Sequence, residues 1–273
     1  MKRIIACIVL LAALVMAYGL LVEPAWLETH HLRIEDAGLR RALAGRVAVQ
    51  LTDLHLTADD RLAGKILARL RSLKPDIIFL TGDYVHWRGD YPAALSFLSR
   101  LDAPLGVWAV MGDYDYSDSR RSCLFCHRPG SGEPTRRHRV HFLRNTSAVI
   151  QTGGGPVRIV GLDGNGRDQR RQEEAQLTAG GSGLPTIVLS HDPLAFDEVP
   201  ADGRILMLSG DTHGGQVPLP GWFWRLIGYA KNAAYNQGFF RRGQNTLYVS
   251  RGIGTSHVPI RIHRRPELVV FHF

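Results

Sequence analysis

From residue 46 the chain keeps repeating one device: a short aliphatic run without polar alternation, followed by turn or polar residues. The runs are Val47–Leu51, Asp76–Leu80, Leu105–Val110, Val157–Gly161, Thr186–Leu189 and Ile205–Leu208. Four to six aliphatic or β-branched residues in a row suit strands buried on both faces. Between the first two runs, Leu62, Ile66, Leu67, Leu70 and Leu73 share one helical face, and Pro75 stops the helix. Leu247–Ser250 and Leu268–Phe273 read as two further strands. The expectation is an α/β layered fold with two sheets between helices.

The residues that close these runs carry the chemistry. Asp53-Leu54-His55 follows the first run, Gly82-Asp83 the second and Gly112-Asp113-Tyr114-Asp115 the third. Ser190-His191-Asp192-Pro193 and Gly210-Asp211-Thr212-His213-Gly214-Gly215-Gln216 follow two later ones. Residues two apart in extended chain point to one side, so Asp53 and His55 can share one ion. A single Gly-Asp or Asp-x-His is an ordinary turn. Five in series are different, because ligands in open α/β sheets bind outside the carboxyl ends of strands.

The start of the chain reads as a membrane segment over residues 1–22. Lys2 and Arg3 precede the uncharged run Ile4 to Val22, which as a helix spans about 28 Å. It is either an uncleaved anchor or a cleaved secretory signal. Both leave the basic residues cytoplasmic and the remainder exported. Residues 23–45 look like a charged linker ending in a short strand or arm, and residues 46–273 form the domain.

Composition narrows the partners. In 273 residues, 33 Lys and Arg against 25 Asp and Glu give a net charge of +8, which favours phosphoesters, lipid head groups or nucleic acid. No nucleic-acid module accompanies that charge, so nucleic acid is an unlikely partner. Three cysteines cannot form a disulfide framework. Cys123-Leu124-Phe125-Cys126-His127 matches a covalent haem pattern, but the stretch lacks an evident apolar haem pocket, which favours a local disulfide or a loose metal site and leaves a reduced pair open. It lies in an Arg-rich stretch holding Arg120, Arg121, Arg128, Arg136, Arg137 and Arg139, which is a solvated loop or a phosphate clamp. Trp222 to Tyr229, flanked by Arg225 and Lys231, suits either a membrane–water interface or a helix packed on the domain.

The order D-x-H, GD, a Gly followed by a ligand-type residue and an acid, a lone His, then a second paired motif resembles the calcineurin-like metallophosphoesterases. The resemblance covers about residues 46–273, and Ser250-Arg251-Gly252-Ile253-Gly254 looks like the family's exported or membrane-attached bacterial branch. It implies a four-layer α/β/β/α sandwich holding two divalent metal ions. Carried over by position, Asp53, His55 and His213 would hold one ion, Asp83 would bridge, and Asp113, His191 and Asp211 would hold the second. Tyr114 and Asp115 would stand at the catalytic positions.

Three positions depart from the family pattern. Asp113 replaces its Asn, Asp211 its first paired His, and Tyr114 its catalytic His. Carboxylate-rich ligands favour Mn²⁺, Fe or Mg²⁺ over Zn²⁺. Four carboxylates against two divalent ions sum to about zero, where two carboxylates would leave about +2. Arginine side chains are expected to supply part of the missing charge. A phenol with a pKa of about 10 is a poor proton donor near neutrality, so alkyl leaving groups should suffer most and phosphoanhydrides least. The resemblance therefore implies a phosphohydrolase acting outside the cytoplasm on a phosphoester, pyrophosphate or phospholipid-like compound. A catalytically silent metal-binding scaffold of the same fold is the alternative, and a c-type haem carrier a third.

Overall fold

The computed structural model describes residues 1–58, 61–86, 91–116, 125, 137–162, 183–201, 203–256 and 258–273. Its strands are β1 Glu28–Arg33, β2 Val47–Leu51, β3 Ile77–Thr81, β4 Val107–Val110, β5 Val140–Phe142, β6 Thr146–Thr152, β7 Gly155–Leu162, β8 Thr186–Ser190, β9 Ile205–Ser209, β10 Gly238–Arg242, β11 Asn245–Val249 and β12 Glu267–His272. The helices are α1 Lys2–Ala17, α2 Ala37–Ala42, α3 Arg61–Leu73, α4 Tyr91–Leu98, α5 Gly221–Leu226 and α6 Ala230–Ala234. Two six-stranded sheets form, ordered β1-β12-β2-β3-β4-β5 and β10-β11-β9-β8-β7-β6. Strands β2 to β5 run parallel, as do β7, β8, β9 and β11.

Neighbouring residues on each central strand face opposite layers, as a pleated backbone requires. Ala48, Ile77 and Phe79 meet Ile159, Ile187, Leu206 and Leu208 between the sheets. Their neighbours Val49, Ile78 and Leu80 pack outward on Ile66, Leu70 and Phe97 of α3 and α4. On the far side, Val160, Val188 and Met207 meet Ala195, Phe196 and Val199. Three cores separated by two sheets make the mixed α/β sandwich. The uninterrupted aliphatic runs are uninterrupted because both faces of each strand are covered.

Residues 23–45 are not a linker. Strand β1 pairs in parallel with β12 from Glu28 beside Glu267 to Arg33 beside His272. Helix α2 is capped by Asp36, whose carboxylate accepts from the Leu39 amide at 2.7 Å. Ile34, Leu39, Ala42 and Leu43 enter the core between the sheets. The segment's charge misleads because its few apolar residues are the ones that turn inward.

Helix α1 buries none of its residues, and Lys2–Ala25 is long and apolar enough to cross a membrane. Its end is tied down. Gly19 is buried, its carbonyl accepting from the Arg261 amide at 2.9 Å. The buried Glu23 carboxylate accepts from the Arg264 amide at 2.5 Å.

Candidate metal centre

The parallel strands put their carboxyl ends on one side of each sheet, and the polar motifs follow directly. Asp53 and His55 come after β2, Asp83 after β3, Asp113 to Asp115 after β4, His191 after β8, and Asp211 and His213 after β9. Asp53, His55, Asp83, Asp211 and His213 all adopt positive φ, between 44° and 73°. Asp and His tolerate this left-handed region better than β-branched residues do, yet each instance costs on the order of 1 kcal/mol or more. Sparsely populated backbone concentrated where ligand-type side chains meet is a mark of a functional centre. Gly82 serves the same crowding: a Cβ there would lie 2.7 Å from the Gly112 amide nitrogen and from His191 Nδ1.

Ligand atoms of Asp53, His55 and His213 lie within 4.8 Å of one another, as do those of Asp53, Asp83 and His191. All five residues are buried. Asp83 Oδ2 stands 3.7 Å from His55 Nε2 and 3.3 Å from His191 Nε2, between the two groups, while its Oδ1 accepts from the Tyr114 amide at 3.0 Å. His213 Nε2 lies 3.2 Å from His55 Nε2 and 3.5 Å from Asp53 Oδ1.

The outer nitrogens fix the rings. His55 Nδ1 donates to the Val85 carbonyl at 3.2 Å and His191 Nδ1 to the Thr81 carbonyl at 2.8 Å. A carbonyl only accepts, so a proton sits on each Nδ1, and each ring turns its Nε2 inward, where the neutral form offers a lone pair. Such backbone contacts commonly orient metal-ligating histidines. His191 Nε2 is buried and makes no hydrogen bond. Inward nitrogens and carboxylates without donors of their own fit a divalent cation.

The electrostatics carry the same strain. Burial pushes Asp53 up to about 7, against the pull of His191. Burial alone would raise Asp83 too, but His191 and His55 hold it below the usual carboxylate range. Burial depresses His55 and His213. Burial opposes charge on His191 as well, and Asp83, Asp211 and Asp53 together outweigh it and raise that imidazole. A cation would replace the protons this cluster otherwise competes for.

Asp113 and Asp211 belong to neither group of converging ligand atoms among the described residues. Asp211 Oδ1 is 4.0 Å from His191 Nε2, and its Oδ2 forms an ion pair with Lys231 of α6. Lys231 Nζ also lies 3.6 Å from Asp192 Oδ2, and the charge of Asp113 acts on it. Thus a lysine stands beside the extra carboxylates. On the other side of the centre Arg261, fully buried, points one guanidinium nitrogen at His213 Nδ1 at 3.4 Å. Carbonyls of Gly254, Arg264 and Arg251 hold it. Neither residue belongs to a strand-end motif, and no spacing signals them.

Tyr114 lies at the centre, its ring packed edge-on against His55 at 5.0 Å between centroids. Asp115 is fully buried and accepts from the amides of Asp83 and Gly112 at 2.8 Å each and of Tyr84 at 2.7 Å. It ties the loop after β3 to the loop after β4. The segment after β9 splits in two. Trp224 is 8% exposed and donates its indole N–H to the Leu219 carbonyl at 3.0 Å, whereas Trp222 and Leu226 are 66% and 75% exposed. Cys123, Cys126, His127, Arg120, Arg121, Arg128 and Arg136 lie outside the described residues.

Comparison with known proteins agrees with this layout. The family model for calcineurin-like phosphoesterases matches residues 47–217. The uncharacterized metallophosphoesterase YkuE of Bacillus subtilis is 28% identical over 93% of this chain and 88% of its own length. The phosphodiesterase YaeI of Escherichia coli is 27% identical over 91% and 88%. The UDP-2,3-diacylglucosamine pyrophosphatase LpxG of Chlamydia trachomatis is 28% identical over 78% and 79%. With its domain matched from β2 through the loop after β9, the chain belongs to the calcineurin-like phosphoesterase family and is a hydrolase.

Proposed function

We propose that this protein hydrolyses a pyrophosphate or activated phosphodiester bond in a lipid-linked or other envelope compound, outside the cytoplasm. The observation that carries the hydrolytic reading is the convergence of Asp53, His55, Asp83, His191 and His213 in one buried cluster. Two divalent ions bound there, Mn²⁺, Fe or Mg²⁺ before Zn²⁺, would supply Lewis-acid polarisation of the phosphoryl group and an acidified water. The side chains do the rest. Asp53, His55 and His213 form one half of the cradle, His191 with Asp113 and Asp211 the other, and Asp83 stands between them. Asp115 is a positioning residue, holding the Asp83 and Tyr84 amides to the Gly112 loop.

Tyr114 favours the anhydride substrate. It stands where the family places its proton donor, and a phenol gives up a proton reluctantly near neutrality. A departing phosphate needs little protonation, and the Chlamydia relative is named as a pyrophosphatase. The lipid side of the proposal leans on two features. The α1 end is tied to Arg261, which reaches His213, so a membrane span would leave the centre close to the head groups. Exposed Trp222, Leu226, Ile227 and Tyr229 form an apolar face suited to that interface.

Refilling the purified protein with Mn²⁺ and offering bis-p-nitrophenyl phosphate and UDP-2,3-diacylglucosamine tests the reading. Hydrolysis of both, abolished by Asp83→Asn, is expected. Bound ions with no turnover of any phosphoester would instead favour the silent scaffold.

A further inference from the structure

Asp211 stands where the family carries an imidazole, and that substitution does not come alone. A carboxylate in a histidine's place adds a negative charge to a centre that must attract a phosphate anion. The structure sets a cation beside it. Lys231, from α6, brings its ammonium to Asp211 Oδ2 and lies 3.6 Å from Asp192 Oδ2, with Asp113 acting on it through space. The lysine approaches from the side opposite the imidazole cluster, since Asp211 Oδ1 faces His191 at 4.0 Å. The Asp211 backbone amide donates to both oxygens of Asp53, at 3.1 and 3.2 Å, which ties the Asp211 main chain to the first group of ligands. The Lys231 side chain is 31% exposed, so solvent and a dissolved anion can reach it.

We propose that Lys231 is a resident cation of the second half of this centre: it competes with the second metal ion for Asp211 and binds the substrate phosphoryl group. The inference rests on the metallohydrolase reading and deepens it. Lysine is a compact, strongly hydrated point charge on a flexible stem, so it can pair with Asp211 in the free enzyme and turn to a phosphate oxygen when substrate is present. Asp211 and Lys231 then act together, the carboxylate storing the lysine at the site and the lysine returning positive charge that the carboxylate removes. Arg261 cannot do this, because carbonyls of the surrounding loops hold its guanidinium fully buried.

The test is calorimetric and needs no turnover. Full-length protein in detergent is titrated with Mn²⁺, and the Mn²⁺-loaded form with inorganic phosphate. Lys231→Met is expected to tighten the weaker Mn²⁺ step about tenfold and to weaken phosphate about tenfold, the size of one charged hydrogen bond. Lys231→Arg is expected to hold both constants near those of the native protein. Asp211→Ala approaches the pair from the other side: the weaker Mn²⁺ step is lost while phosphate binding persists. Unchanged constants in Lys231→Met, a change in only one of them, or loss of phosphate binding in Asp211→Ala would overturn the proposal. If the native protein takes up no Mn²⁺ at all, the metallohydrolase reading itself fails, an outcome distinct from these.

Discussion

The two halves of the centre are built on different physical terms. The Asp53–His55–His213 half is buried, its His55 ring fixed by a backbone carbonyl and its negative charge confined to Asp53. The proposed Asp113–Asp211 half is only partly buried, would bring two carboxylates where the family pattern has neutral ligands, and sets Asp211 beside a lysine. Burial makes the first half a rigid trap whose unpaired state is costly. Exposure and an internal counter-ion make the second adjustable. Asp83 stands between His55 and His191, and Asp115 clamps the loop after β3 that carries it.

That contrast breaks down if the halves respond alike to mutation. His213→Ala should cost about 10³-fold in turnover with Mn²⁺, since the ligand set around Asp53 cannot re-form. Asp211→Ala should cost less, about 10²-fold in the same assay, because the weaker ion is lost while Lys231 keeps a positive group nearby. Equal losses would mean that the site has no asymmetry. Tyr114→His sharpens the point about leaving groups: alkyl phosphoester cleavage should rise about 10²-fold while pyrophosphate cleavage barely changes. Steady-state rates on both substrate classes read this out, and a uniform rise would remove the case for an anhydride.

Asp115→Ala should destabilise the fold by about 3 kcal/mol, because it leaves buried amides of Asp83, Tyr84 and Gly112 without their acceptor. Urea unfolding of the metal-free protein measures it. The smallest effect is on pH dependence. Asp53, raised from its ordinary 3.8 to about 7 by burial, favours the fold while protonated and disfavours it once ionised. Raised His191 acts in the same direction, contributing stability below 6.5 that is lost as pH climbs through its folded value. Asp83, held below 3.8, stays ionised across this window and adds no slope. Depressed His55 and His213 act the other way, gaining stability as pH rises to 6.5. Asp115 and Asp211, however, are raised by burial as Asp53 is. Metal-free stability should therefore fall on balance as pH rises from about 5 to 7, and the gain in Tm on adding Mn²⁺ should grow over the same interval.

What the sequence reveals follows from burial. Strands β2, β3, β4, β7, β8 and β9 are legible because two-sided covering writes an unbroken aliphatic run, and the ligands are legible because parallel strands put their ends together. Edge strands β1, β5, β6 and β10 leave no such run: β6 alternates exposed and half-buried positions around the single buried Ile150. Lys231 and Arg261 reach the centre from α6 and from the loop before β12, so only three-dimensional contact exposes them. Among the described residues the cation paired with Asp211 is a lysine, and Arg261 stands by His213.

Metal content tests the central claim most directly, measured by inductively coupled plasma mass spectrometry on protein purified without chelators beside its Asp83→Asn variant. The account predicts bound divalent metal in the native chain, rising to two ions when Mn²⁺ is supplied in excess, and a marked loss in the variant. A native protein that holds no divalent ion even in excess Mn²⁺, Fe²⁺ or Mg²⁺ would contradict it.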